Sequence, residues 1–138
     1  MDRARRLQRP VRRPLDEHIE LSILSQTVKR IRWMGSSRSD LRAFPVEARG
    51  QAGFQLRMVQ AGEAPLDWKP MQAVGPGVME IRVHRSGEFR VLYVARFREA
   101  IYVLHCFAKK TRKTSQDDID LAKRRYGDIA TARQTERT

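Results

Sequence analysis

The sequence predicts a small α+β domain: an N-terminal strand and two helices, then a three-stranded antiparallel meander and a C-terminal helix. Three observations carry this. Between Val78 and Ala108, three runs rich in β-branched and aromatic residues follow one another with only short turn signals between them. Before them, Pro45 and Gly62 bracket a stretch of helical character. After them, Ser115–Gln116–Asp117–Asp118 has the composition of a helix start, and Lys123, Arg124 and Arg125 suit a helix end.

Taken in order, the first strand falls in Val28–Met34, where apolar and basic residues mix. Ser36–Asp40 offers several N-cap side chains for a short helix through Leu41 and Phe44. Pro45 opens a second helix, in which Val46, Phe54, Met58 and Val59 share a face directed at a sheet, and Ala61–Gly62 closes it. The segment from Ala64 to Gly77 holds Pro65, Pro70, Gly75, Pro76 and Gly77 and reads as loop. The meander comprises Val78–His84, Glu88–Phe97 and Ala100–Ala108, with turns at Arg85–Ser86–Gly87 and Arg98–Glu99. The last helix runs to about Tyr126 and stops at Gly127. The domain therefore spans residues 29–130, followed by a polar tail at 131–138 that should fray.

Residues 1–28 read as a basic, disordered extension. Pro10 and Pro14 interrupt any helix before them, and the arginines from Arg3 to Arg13 repel one another. A short helix over His18–Val28 is compatible with the residues. No apolar core follows the basic start, which argues against a secretory signal.

With 138 residues the chain has room for one domain rather than two. Its 28 Lys and Arg against 16 Asp and Glu give a formal charge of +12. A fold does not need that excess, and self-repulsion opposes compaction, so a polyanionic partner is expected. No apolar run approaches the length of a membrane span. The single cysteine, Cys106, cannot pair within the chain, and a reducing cytoplasm is the simplest setting. His18, His84 and His105 form no zinc-binding spacing with it, so no metal or other cofactor is expected.

The candidate site residues are cations at strand ends. Lys109, Lys110, Arg112 and Lys113 crowd into five positions beside Thr111 and Thr114, too densely for an ordinary solvated loop, and Lys69 can approach them. Arg82 and Arg90 flank the meander's first turn. An odd-length turn would place them on one face, able to fork around a phosphate; an even one would separate them, each free to pair with Glu80 or Glu88. Glu80 is either a base or a salt-bridge partner. His105 alternates with Ile101, Val103 and Phe107, which places it on their face, where a hydrogen-bonded core histidine competes with a catalytic one. His84, beside the turn, reads as solvated, and Trp33, Trp68 and Cys106 as structural.

Several segments together resemble a known family. They are KPM at Lys69–Met71, Gly75, MEIR at Met79–Arg82, FRVLY at Phe89–Tyr93, LHCFAKKTRKT at Leu104–Thr114 and IDLAKRR at Ile119–Arg125. They resemble the RelE/ParE toxin superfamily, and within it the phage-derived HigB-like branch of type II toxins. The resemblance covers about Lys29 to Arg125 and implies a RelE-like fold. It further implies a metal-independent endoribonuclease that cuts mRNA on the ribosome, contacting rRNA there, and is silenced by a cognate helix-turn-helix antitoxin. On that reading Arg82, Arg90, His105, Lys109 and Glu80 are catalytic, while Lys69, Lys110, Arg112 and Lys113 bind RNA. Two other readings stand beside it: a ParE-like, non-catalytic inhibitor of DNA gyrase, and a basic nucleic-acid- or ribosome-binding module.

Overall fold

The computed structural model describes residues 28–137. The basic extension, and the short helix considered at its end, fall outside the described residues except for Val28. The order is β1 (Arg30–Trp33), α1 (Ser37–Arg42), α2 (Val46–Gln60), β2 (Trp68–Pro70), β3 (Val78–Val83), β4 (Phe89–Val94), β5 (Ala100–Ala108), α3 (Gln116–Gly127) and α4 (Ile129–Arg137). The fold is α+β, as the sequence predicts. Its five-stranded sheet has the order β1-β5-β4-β3-β2, parallel between β1 and β5 and antiparallel elsewhere.

Helices cover both faces, which explains why β4 and β5 are buried along nearly their whole length. On one face Leu41, Phe44, Ala48, Ala52, Leu56 and Val59 meet Ile81, Val83, Val91, Tyr93, Ile101 and Val103. On the other, Ala122, Ile129 and Ala132 meet Val78, Leu92, Val94, Ala100, Tyr102 and Leu104. Lys29 secures the start of β1: its N–H donates to the Gln60 backbone carbonyl, the Gln60 side-chain amide donates to the Lys29 carbonyl, and its ammonium donates to the carbonyls of Ala95 and Phe97.

Four local expectations are corrected. The stripe of α2 that faces the sheet is Ala48, Ala52, Gln55, Leu56 and Val59, while Val46 is 72% and Phe54 46% exposed. Val59 lies on the expected face, but the small Ala48 and Ala52 let the helix approach the sheet closely, and Val46 and Phe54 fall off the buried stripe. The loop of residues 64–77 contains the edge strand β2, which pairs Lys69 with Glu80. Helix α3 ends at Gly127, as expected, with Asp128 as its cap, but instead of a frayed tail α4 follows at once. In α4 Ile129 and Ala132 reach the core, and Arg133 donates to Glu99 at 2.8 Å, so ordered chain passes the expected boundary at residue 130.

The fourth correction concerns β5, where the pairing shifts from Tyr93↔Val103 to Leu92↔His105 and leaves Leu104 extra. Such a bulge breaks the alternation of side chains. Leu104 joins Ala100 and Tyr102 on the α3 face, and Cys106 joins Ile101 and Val103 on the α2 face. His105 therefore faces α3, together with Phe107 and opposite to Ile101 and Val103. The bulge leaves a backbone carbonyl to satisfy, and Arg125 of α3 donates to the Leu104 oxygen at 2.9 Å.

Candidate functional site

Residues directly opposite one another in antiparallel strands project from the same face. The register therefore lays two rows across the sheet on the α3 side. One row is Lys69, Glu80, Leu92 and His105; the other is Arg82, Arg90 and Phe107. The segment after β5 returns over these rows towards Ser115, the N-cap of α3, whose hydroxyl accepts from the Asp118 N–H. Between sheet and segment lies a cavity of about 400 Å³ lined by Lys69, Glu80, Arg82, Arg90, Lys109, Arg112 and Lys113, with Met71, Thr114 and Ile119.

The cavity thus brings together seven of the nine residues that the sequence singles out. Six are cations and one is a carboxylate. Glu80 is only 1% exposed, and neither carboxylate oxygen accepts a hydrogen bond. Its nearest charges are the Lys69 ammonium and the Arg90 Nε, each at 3.9 Å. A buried carboxylate in that state is expensive, because desolvation is offset only by charges just beyond hydrogen-bond range. Arg90 is itself buried, at 6% exposure, and its Nε has no hydrogen-bond partner.

The basic segment has an internal order. The Lys109 ammonium donates to the Thr111 and Arg112 carbonyls, and the Thr111 hydroxyl donates to the Lys113 carbonyl. Turning these carbonyls inward leaves Arg112 and Lys113 at the cavity. Lys109 is thus held by the loop as well as lining the site. Lys110 is exposed and does not line the cavity.

His105 does not line it either. Its Nε2 meets Asp118 Oδ1 at 2.7 Å, its ring stacks on Phe107 at 4.7 Å, and its buried Nδ1 has no partner. Asp118 also accepts from Ser115, so the histidine ties β5 to the start of α3.

Two further carboxylates reach the two arginines, and of these the sequence suggests only Glu88 as a partner. Asp67 accepts from Arg82 Nε at 3.1 Å, and Glu88 lies 3.0 Å from Arg90. His84 sits between these carboxylates, with Nε2 at 2.7 Å from Asp67 and Nδ1 at 2.8 Å from Glu88. Its side chain is half-exposed, as its place beside the turn suggests, and is bonded on both sides. The hydrogen bond to Glu88, reinforced by the one to Asp67, raises its pKa above the ordinary 6.5. The His84 hydrogen bond likewise lowers Glu88 below 4.5. Burial works against Asp67 ionising, but the bonds from His84 and Arg82 together outweigh it and lower its pKa. Nothing in the sequence signalled Asp67, because only the β2–β3 pairing carries it to the hairpin.

A second cavity, of about 420 Å³, opens on the α2 side among Val59, Pro65, Trp68, Met79, Tyr93 and Ala95. Its lining is largely apolar, with Lys29, Glu63 and Arg96 as its charged members and the Lys29 ammonium already bonded to two carbonyls, so the denser charge cluster is on the α3 side.

The class is a small basic α+β domain with a mixed sheet and a cation-lined pocket at one sheet end. The chain belongs to the phage derived protein Gp49-like family (DUF891), whose model matches residues 39–127, and that family is associated with toxins of the RelE-like type in toxin–antitoxin systems. The matched span includes every residue that lines the cationic cavity and leaves out β1 and α4. No curated protein matches the chain. Among the described residues, no helix is long and apolar enough to cross a membrane.

Proposed function

We propose that this chain is the toxin of a type II toxin–antitoxin system, of the HigB-like branch. In this reading it acts in the cytoplasm as a metal-independent endoribonuclease that cuts mRNA on the ribosome. The observation that carries the proposal is the pocket itself: a buried carboxylate without hydrogen bonds, surrounded by six cations.

Cleavage by the ribose 2′-oxygen needs a base at that hydroxyl and positive charge around a phosphate that gains negative charge in the transition state. Glu80 takes the 2′-proton as the 2′-oxygen attacks phosphorus; the P–O5′ bond breaks, leaving a 2′,3′-cyclic phosphate, and the departing 5′-oxygen takes a proton from water. Arg82 and Arg90, which share a face, hold the scissile phosphate with their guanidinium forks. Lys69, Arg112 and Lys113 neutralise the flanking backbone, and Lys110 meets it from outside the cavity. Lys109 both shapes the basic segment and contributes charge. His105 acts by fixing the start of α3, where Ile119 closes the cavity. The cognate helix-turn-helix antitoxin silences the toxin, and rRNA supplies further phosphates to a chain of net charge +12.

Primer extension on cellular mRNA after induction tests this. New 5′ ends inside translated messages are expected. Inhibition of DNA gyrase, the ParE-like alternative, would instead give DNA damage and filamentation with intact messages.

A further inference from the structure

We infer that His84 is the positioning residue of the phosphate pocket: as an imidazolium between Asp67 and Glu88 it holds Arg82 and Arg90 in place, so that the pocket's grip on a phosphodiester loosens when His84 loses its proton. The inference rests on the phosphate-binding reading above and adds a regulated element to it.

The geometry is a chain of alternating charge across the mouth of the β3–β4 hairpin. It runs Arg82 to Asp67 at 3.1 Å, Asp67 to His84 at 2.7 Å, His84 to Glu88 at 2.8 Å and Glu88 to Arg90 at 3.0 Å. Both ring nitrogens face carboxylate oxygens, and only the imidazolium has an N–H to donate at each. Asp67 is anchored independently: its backbone N–H donates to Gln55 Oε1, and its carbonyl accepts from the Arg82 N–H. The backbone of Glu88 is fixed by the Lys109 N–H. The histidine thus spans two anchored carboxylates, each of which also grips one pocket arginine. The only other charged residue of the turn is Arg85.

Loss of the proton changes two things. One ring nitrogen turns a lone pair on its carboxylate, so that contact breaks and the arginine beyond it loses its brace. The five-group chain also falls from three cations and two anions to a balanced set. The carboxylate that has lost its N–H then depends on its arginine alone and competes with phosphate for it. Because both carboxylates favour the imidazolium, this loss takes place above the ordinary imidazole value of 6.5.

The test is the affinity of the full chain for a 2′-deoxy oligothymidylate, which cannot be cleaved through a 2′-oxygen. Its phosphodiesters keep their charge from about pH 6 to about pH 8.5, the interval to scan at fixed ionic strength. The wild type should bind tightly at the acid end and lose about threefold to tenfold as pH rises, the scale of one ordinary net hydrogen bond. His84→Gln should be weak and flat throughout. His84→Arg, which keeps a positive charge able to reach both carboxylates, should be tight and flat. A merely structural histidine would shift the melting temperature without removing the pH dependence from both variants. Wild-type affinity and pH dependence in His84→Gln would overturn the inference while the pocket stands, provided Arg82→Ala still weakens binding. If Arg82→Ala also binds like the wild type, the phosphate pocket itself is lost and the inference with it.

Discussion

Arg82 and Arg90 stand directly opposite one another across the β3–β4 pair, joined by a five-residue connection from His84 to Glu88. The odd count puts both guanidinium groups on the α3 face, the arrangement the sequence had left open. They differ in surroundings. Arg82 has a side chain 36% exposed, whereas Arg90 is buried beside Glu80.

Substitution should separate the two. Arg82→Ala should leave a folded protein and lower the cleavage rate by about 10²–10³, as expected for one lost preorganised donor. Arg90→Ala should lose activity and also destabilise, because removing one partner of a buried pair strands the other at about 3–5 kcal/mol. Thermal denaturation alongside a growth-arrest assay checks both. Equal melting temperatures for the two variants would contradict the assigned burial.

The basic segment should set the salt dependence of RNA binding. Lys109 braces the loop, so the clean test neutralises Lys110, Arg112 and Lys113 together. The slope of log affinity against log salt should fall by about two units, at roughly 0.7 per phosphate contact on a single strand. An unchanged slope would move the footprint elsewhere on the chain.

His105 should act through stability. His105→Ala removes the bond to Asp118 and the stack on Phe107, and should lower the melting temperature by an amount equivalent to about 1–3 kcal/mol. Activity per folded molecule should survive at a temperature where the variant is folded. Full stability with abolished cleavage would restore a catalytic role.

The limits of the sequence reading have physical reasons. The meander was legible because β-branched runs and turn residues report local preference. The side of His105 was not, because a single extra residue at Leu104 inverts the alternation and nothing in LHCF marks it. Strand β2 is three residues long and contains Pro70, so no periodicity could reveal it. Helix α4 offers only Ile129 and Ala132 to the core among polar neighbours. The cationic cluster was visible as composition. The depth of Glu80 was not, because burial follows from the return of residues 109–114 over the sheet.

Stability should respond to pH through the Asp67–His84–Glu88 bridge. His84 has a raised folded-state pKa, so its contribution is complete below its ordinary 6.5 and is lost as pH rises through the raised value. Asp67 and Glu88 are lowered, so theirs are complete above the ordinary 3.8 and 4.5 and vanish as pH falls through the lowered values. All three contributions are present together between 4.5 and 6.5. The melting-temperature difference between the wild type and His84→Gln should therefore be largest there and shrink on both sides. A difference that is constant across pH would sink the bridge as a charged unit.

The most direct test of the central claim is the single-turnover cleavage rate of mRNA on purified ribosomes, comparing the wild type with Glu80→Gln. The amide matches the carboxylate in shape, and Arg90 keeps its contact to Glu88 at 3.0 Å, so the variant should still fold, and its melting temperature is measured alongside. As the base for the 2′-hydroxyl, Glu80 should account for about 10²–10⁴ of the rate, and the variant should still bind the programmed ribosome. Cleavage by Glu80→Gln at the wild-type rate, or no cleavage by the wild type itself, would contradict the account.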